Sequence, residues 1–349
     1  MTSAYARAGV DIEAGDRAVE LMKEQVRATH RPEVVGGLGG FAGLFDASAL
    51  RSYRKPVLAT STDGVGTKVA IAQALGIHHT IGWDLVGMLV DDLVVVGAEP
   101  LFVTDYIACG VLVPERVAAI VSGIAAACTA AGAALLGGET AEHPGLLAAD
   151  EYDVAGATTG VVEADEVLGP QRVVAGDVVL ALASSGLHSN GYSLVRAVLL
   201  QQAGLRLDQH LPELGRTLGE ELLEPTRVYA KDVLDLAAAV EVHAMSHITG
   251  GGLASNLARV LPEHLSARLD RATWSPAPVF SLVQRLGEVS QPDLEATLNM
   301  GVGMAVVLPA DQVDPAVRLL AERGVDSWVL GEVGEGDGSV RMTGSHPVG

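Results

Sequence analysis

Leu58-Ala59-Thr60-Ser61-Thr62-Asp63-Gly64-Val65-Gly66-Thr67-Lys68 is the stretch from which the fold is read. Val57 to Thr62 is rich in β-formers and reads as a buried strand ending on Asp63. Gly64 and Gly66 then open the backbone. From Thr67 the apolar residues Val69, Ala70, Ile71 and Leu75 keep helical spacing as far as Gly76, a C′ residue. Glycines let main-chain N–H groups approach an anion, and a helix N-terminus favours negative charge. A carboxylate beside such a turn, with Lys68 next to it, has the parts of a magnesium–nucleotide site. An ordinary strand–turn–helix with a capping Asp fits the same residues. A Walker A loop does not, because Gly-Lys never occurs in the chain.

Composition narrows the partners. The 349 residues suggest two domains, and 49% apolar against 19% charged content is that of a globular protein. A formal net charge of −20 argues against nucleic acid or an anionic membrane as a general partner. Holding a polyanion would then fall to local cations, Mg²⁺ and main-chain donors, and there are only four lysines: Lys23, Lys55, Lys68 and Lys231. Two cysteines, Cys109 and Cys128, support neither a disulfide framework nor a cysteine zinc site. The start Met1-Thr-Ser-Ala-Tyr-Ala-Arg7 lacks the apolar core of a signal peptide. Val117–Leu136 is uncharged but rich in small residues, with Val117, Ile120, Val121, Ile124 and Cys128 on one stripe, so it reads as a buried helix and a strand. A cytoplasmic protein is expected.

Outward from the central stretch, residues 13–29 form an amphipathic helix with Ala18, Val19, Met22 and Val26 inward and Lys23 near that face. In Gly36-Gly37-Leu38-Gly39-Gly40-Phe41-Ala42-Gly43, Gly37, Gly39 and Ala42 fit a loose dinucleotide pattern, yet no strand precedes it, so the reading is a glycine flap or a plain surface loop. Ile81–Gly97 is helical, with Asp84, Asp91 and Asp92 on roughly one face, either solvated or metal-bound. Leu101–Ala108 is a strand containing Asp105. Ala133–Leu136 is another, ending on Gly137-Gly138-Glu139-Thr140 as the first strand ended on Asp63. Asp63, Asp92 and Glu139 could converge on one cation, since oxygen ligands suit Mg²⁺.

Gly169-Pro170 and Ala175-Gly176-Asp177 mark a boundary, giving domains 1–169 and 170–349. The strand Val178–Ala183 feeds the polar loop Ser184–Ser193, in which His188 is either a proton carrier, a phosphate donor or a structural histidine. Glu220–Val240 is read as one helix after a Pro225 entry, and Val240–Ile248 as a strand carrying His243 and His247, without the further ligands zinc would need. Thr249-Gly250-Gly251-Gly252 begins a helix and offers an anion-binding N-terminus. Leu298–Leu308 is a strand interrupted by Gly301 and Gly303, implying close backbone approach. A helix 311–323, a strand 327–333 and a loose tail from Gly334 complete the chain.

In this order, Ala8-Gly9-Val10-Asp11-Ile12, Gly36–Phe41, Thr62–Lys68, Asp92–Val95 with Gly97-Ala98-Glu99-Pro100, Gly137–Glu142, Tyr152–Gly156, Ser184–Arg196, Thr249–Leu253 and Gly301–Met304 resemble the phosphoribosylformylglycinamidine cyclo-ligase (AIR synthetase) family over nearly the whole chain. The resemblance implies an α/β protein of two domains, a homodimer whose N-terminal sheets close a barrel across the dimer, and a C-terminal α/β sandwich. It implies ATP, Mg²⁺ and formylglycinamidine ribonucleotide as ligands. ATP would phosphorylate the amide oxygen, the amidine nitrogen would attack the activated carbon, and phosphate would leave. By the same resemblance Asp63, Asp92 and Glu139 hold the metal, while Lys68 and the Gly64, Gly66 and Thr67 turn cradle phosphate. Lys23, Gly37, Gly39, Gly40 and Thr140 lie near the nucleotide. His188 is an acid or base on the substrate side, with Ser189, Asn190, Thr249, Gly250 and Gly251 around the substrate. Asp91 stands where the family more often has Asn, and Leu298 where it has Phe.

Rival readings lack their own marks. A selenophosphate synthetase would carry a reactive Cys near its start, an amidotransferase of the pathway would be much longer, and a thiamine-monophosphate kinase would show Asp-Asp where this chain has Asp63-Gly64. A non-catalytic nucleotide sensor would not need Asp63, Asp92, Glu139 and His188 together.

Overall fold

The computed structural model describes residues 12–37 and 39–347; the N-terminal Met1–Arg7 stretch, the motif residues Ala8 to Asp11 and Leu38 of the glycine flap lie outside them. The chain divides into two compact units. One comprises the described residues up to Leu93 with Glu99–Ala164, and the other Val94–Ala98 with Asp165 onward.

The first unit opens with α1 (Ile12–Ala28) and the two-residue strands β1 (Val34–Val35) and β2 (Leu44–Phe45), which pair with each other. Then come β3 (Pro56–Gly64), α2 (Val69–Leu75), α3 (Ile81–Val94), β4 (Glu99–Cys109), α4 (Pro114–Ala131), β5 (Ala134–Glu142) and β6 (Tyr152–Glu163). The sheet order is β3-β6-β4-β5; only β4 and β5 run parallel, joined by α4 as a parallel pair requires. Gly76 ends α2 with φ 65°, the left-handed stop expected of it.

Glycines set how closely the helices lie. A Cβ on Gly156 would come within 2.8 Å of Leu89 Cδ1, and one on Gly160 within 2.4 Å of Leu93 Cδ2, so β6 is bare where α3 crosses it. Helix α3 in turn meets α4 backbone to backbone: a Cβ on Gly82 would stand 2.0 Å from the Ile124 nitrogen, and one on Gly123 1.8 Å from the His79 carbonyl oxygen.

Two expectations change here. Strand β3 is not buried: Leu58 is 60% exposed and Val57 is exposed beside it. It is an edge strand, and nothing among the described residues covers its outer face. Nor do the three acids of α3 share one surface: Asp84 and Asp91 are fully buried, and Asp92 is exposed.

In the second unit β7 (Val178–Ala183) leads through α5 (Tyr192–Arg196), which loosens into a π-helical turn over Ala197–Gln202. A small β8–β9 pair (His210–Leu211 and Arg216–Thr217) precedes α6 (Leu218–Leu222), α7 (Ala230–Ala239), β10 (Ala244–His247) and α8 (Gly252–Ala258). The chain continues with β11 (Leu265–Asp270), α9 (Pro278–Gly287), α10 (Gln291–Glu295), β12 (Val302–Leu308), α11 (Val313–Glu322), β13 (Ser327–Glu335) and β14 (Val340–Thr343). The six-stranded sheet runs β10-β12-β7-β13-β11-β14. Val179 and Ala181 pack with Leu253, Leu257 and Trp274 on one side. The alternate residues Leu180, Leu182, Met304 and Val306 are buried as well, so the central strands are covered on both faces.

The single helix expected over Glu220–Val240 is two. α6 starts from a capping box in which Thr217 and Glu220 bond reciprocally, and it stops before Pro225, whose ring disfavours helix in the residue preceding it. The strand at β10 is shorter than expected, and His243 lies outside it with Nδ1 2.7 Å from Asp177 Oδ2. The segment after Gly334 is not a loose tail, because β14 pairs parallel with β11 from Val340 to Thr343.

Candidate active site

The central turn uses its own polar groups. Asp63 Oδ1 accepts from the Gly64 N–H at 2.7 Å, and the Val65 N–H donates to the Val154 carbonyl at 3.1 Å. Gly66, with φ 72°, and Thr67 are exposed in a short 3-10 turn. Lys68 does not face solvent as a phosphate ligand would. Its side chain is wholly buried, and Nζ lies 2.7 Å from the equally buried Asp84 Oδ1. The reason is one of cost: an ammonium inside an apolar core is stable only beside a counter-charge.

The glycine flap and the β5 end, far apart in sequence, line one cavity of about 580 Å³, a size that suits a small-molecule ligand. Gly37, Gly39, Gly40 and Phe41 contribute from the flap, and Gly137, Gly138, Glu139 and Thr140 from β5. The inner face of α1 contributes Ala18, Val19, Met22 and Val26, which is why Val19 remains exposed within its own unit. Lys23, next to Met22, pairs with Glu20 Oε2 at 3.2 Å on the half-buried flank of the helix. Among the described residues, the ionisable side chains lining the cavity are Glu139 and Asp105.

Asp63, Asp92 and Glu139 are each exposed. Among the described residues no three His, Cys, Asp or Glu side chains are grouped to share a metal ion, so the expected convergence of these carboxylates is not a feature of the isolated chain. Mg²⁺ keeps several waters and takes one or two carboxylates together with substrate phosphates, and solvated carboxylates are donors of that kind.

In the second unit His188 is buried with φ 60°, and its Nε2 accepts the Ser185 N–H at 3.1 Å. An imidazole nitrogen that accepts carries no proton, so this contact favours the neutral ring. The ring packs beside Tyr229, whose hydroxyl donates to the Ala183 carbonyl at 2.7 Å. Gly303 leaves room for both: a Cβ there would be 2.0 Å from Tyr229 Oη and 2.7 Å from His188 Cε1. This is the close approach that the Gly-interrupted strand implied. Ser189 is buried; Asn190 Oδ1 would meet a Cβ on Gly250 at 3.5 Å, which brings the Ser184–Ser193 loop to the Thr249–Gly251 turn.

Sequence reasoning missed the groups that hold these turns. The Asn256 amide nitrogen donates to the Gly252 carbonyl at 2.8 Å and reaches those of Gly250 and Thr249 at 3.2 and 3.4 Å. Asn299 Nδ2 donates to the Gly186 carbonyl at 2.9 Å, while its Oδ1 accepts from the Gly301 N–H at 2.8 Å. An Asn four residues after a glycine turn was the available signal for Asn256.

Comparison with known proteins places this geometry. Residues 45–162 match the AIR synthase related protein N-terminal domain, and residues 174–343 the corresponding C-terminal domain. Tandem AIR-synthase-related domains therefore define its class. The phosphoribosylformylglycinamidine cyclo-ligase of Geobacillus thermodenitrificans (strain NG80-2) is 50% identical over 346 residues, covering 99% of each chain. The enzyme of the same name from Brevibacillus brevis is 49% identical over 99% of each chain. The chain belongs to the phosphoribosylformylglycinamidine cyclo-ligase family. The fold is shared more widely: thiamine-monophosphate kinase from Stenotrophomonas maltophilia K279a superposes with a TM-score of 0.69 at 21% identity, over 94% of this chain and 97% of that one.

Proposed function

We propose that the chain catalyses the ATP-dependent closure of formylglycinamidine ribonucleotide to 5-aminoimidazole ribonucleotide, releasing ADP and phosphate in purine synthesis. The observation that carries this reading is 50% identity over 99% of the chain to an enzyme of that name. The amide oxygen of the substrate takes the γ-phosphoryl group of ATP, which turns a poor leaving group into a good one. The amidine nitrogen then adds to the activated carbon, and the carbon–oxygen bond breaks as phosphate leaves. Such chemistry asks the protein mainly for positioning and charge neutralisation.

In this reading ATP occupies the cavity of the first unit, under Gly37, Gly39 and Gly40, with its phosphates towards Glu139, Thr140 and the Gly64–Thr67 turn. Asp63, Asp92 and Glu139 are the oxygen donors for Mg²⁺, which would supply charge neutralisation on the phosphates. Lys23 serves the nucleotide from the half-buried flank of α1. Lys68 holds the turn through Asp84, a positioning part that replaces the direct phosphate contact expected from sequence. His188 likewise shapes the Ser184–Gly186 turn from a buried position, with Ser189, Asn190 and Thr249–Gly251 on the substrate side. A homodimer covering the exposed face of β3, and a cytoplasmic location, belong to the same reading; no helix among the described residues is long and apolar enough to cross a membrane.

The test is to follow phosphate release and aminoimidazole product together, with ATP, Mg²⁺ and formylglycinamidine ribonucleotide. One-to-one formation that is lost in Asp63→Asn is expected. ATP binding with no product, beside a working cyclo-ligase control, would overturn the reading.

A further inference from the structure

Asp105 was read in sequence only as a residue within a strand, and neither the metal set nor the phosphate set uses it. In the structure it stands mid-sheet at the cavity wall, in register with Gly156 on β6 and Gly138 on β5. Gly138 is bare for its sake: a Cβ there would come within 2.0 Å of Asp105 Oδ1, so the carboxyl lies flat against the neighbouring strand. Around it the cavity is lined by apolar side chains from α1, α4 and β5, among them Val26, Val121 and Leu135. Among the described residues no arginine, lysine or histidine lines this space, and no other residue donates a hydrogen bond to the carboxyl. The half-buried carboxyl, with no cation and no donor beyond its own main chain, keeps hydrogen-bonding capacity that a ligand in the cavity can complete.

We propose that Asp105 is the residue that reads the nucleotide base, its carboxyl accepting a hydrogen bond from the exocyclic amine of adenine. The inference rests on the reading that ATP occupies this cavity. A flat, largely apolar ring system suits the aliphatic walls, and its amino group is the feature that an otherwise apolar cavity would fail to recognise. Burial raises the Asp105 pKa to about 7, so the carboxyl exists in part as the neutral acid. The acid form can also donate to a ring nitrogen, while either form accepts from an amine. A site built to pair with a polar group discriminates strongly against ligands that lack it, because its own buried group is then left unsatisfied.

Titration calorimetry on the full chain, without the second substrate, tests this by comparing ATP with purine riboside triphosphate, which lacks only the 6-amino group. The intact protein is expected to bind ATP at least about ten-fold more tightly than the analogue, the scale of one well-made hydrogen bond. In Asp105→Ala the two ligands should bind within about two-fold of each other, chiefly through loss of ATP affinity. Asp105→Asn, which keeps an acceptor in the same place, should retain the preference and guards against a folding defect in the alanine variant. An unchanged preference in Asp105→Ala would overturn the assignment while leaving the nucleotide site in place. Failure of the intact protein to bind ATP at all would overturn the functional reading beneath it.

Discussion

Lys68 Nζ and Asp84 Oδ1 lie 2.7 Å apart with both side chains wholly out of solvent, joining the short turn after β3 to the first turn of α3. The pair converts a lysine that looks like a phosphate ligand into a tie-bar for the loop that carries Asp63. Removing one partner takes a close counter-charge from the other inside the core. Lys68→Met or Asp84→Asn should each destabilise the protein by about 3–5 kcal/mol in urea unfolding, and the double variant by less than the sum of the two.

The carboxyl of Asp105 should make stability depend on pH in a direction unusual for an aspartate. Its pKa is raised from 3.8 to about 7 by burial, so the folded state holds a proton that the unfolded state releases. Stability therefore falls as pH rises from about 4 to about 7. Asp105→Asn should match the parent below pH 4 and exceed it at pH 8, by up to about 4 kcal/mol. Chemical denaturation at the two pH values checks this.

Gly303 is the narrow point of the second unit's site. Gly303→Ala would drive a methyl group into Tyr229 Oη and His188 Cε1, displacing the ring that receives the Ser185 N–H. A loss of about 1–3 kcal/mol is expected from the overpacking. ATP affinity measured by calorimetry should be unchanged, since the proposed nucleotide cavity lies in the first unit.

The exposed edge at β3 predicts association. Leu58 is the more exposed of that strand's two large aliphatic residues, and Leu58→Glu should turn a dimer into a monomer in light scattering without lowering the thermal midpoint of the monomeric unit.

Local signals carried the parts of the fold that are local. The left-handed stop at Gly76 and the small-residue helix over Pro114–Ala131 were legible because each depends on a few neighbouring residues. The partner of Lys68 lies sixteen residues on, and it becomes visible only when α3 is laid on the sheet. Asp105 looks like any strand residue until Gly138 and the α1 face surround it. β3 read as buried since its composition is that of an inner strand, whereas it lies at a sheet edge that no described residue covers. β14 was missed because an edge strand of four residues has too little alternation to stand out from a tail.

Gly82 and Gly123 give α3 and α4 a joint with no side chain in it. Two helices in main-chain contact have no rotamers to exchange at the crossing, so they cannot ratchet past one another in small steps as side-chain-packed helices do. The acids of α3 are thus referred to a fixed frame: a ligand beside them would meet a surface whose position is set by main chain rather than by side-chain choice.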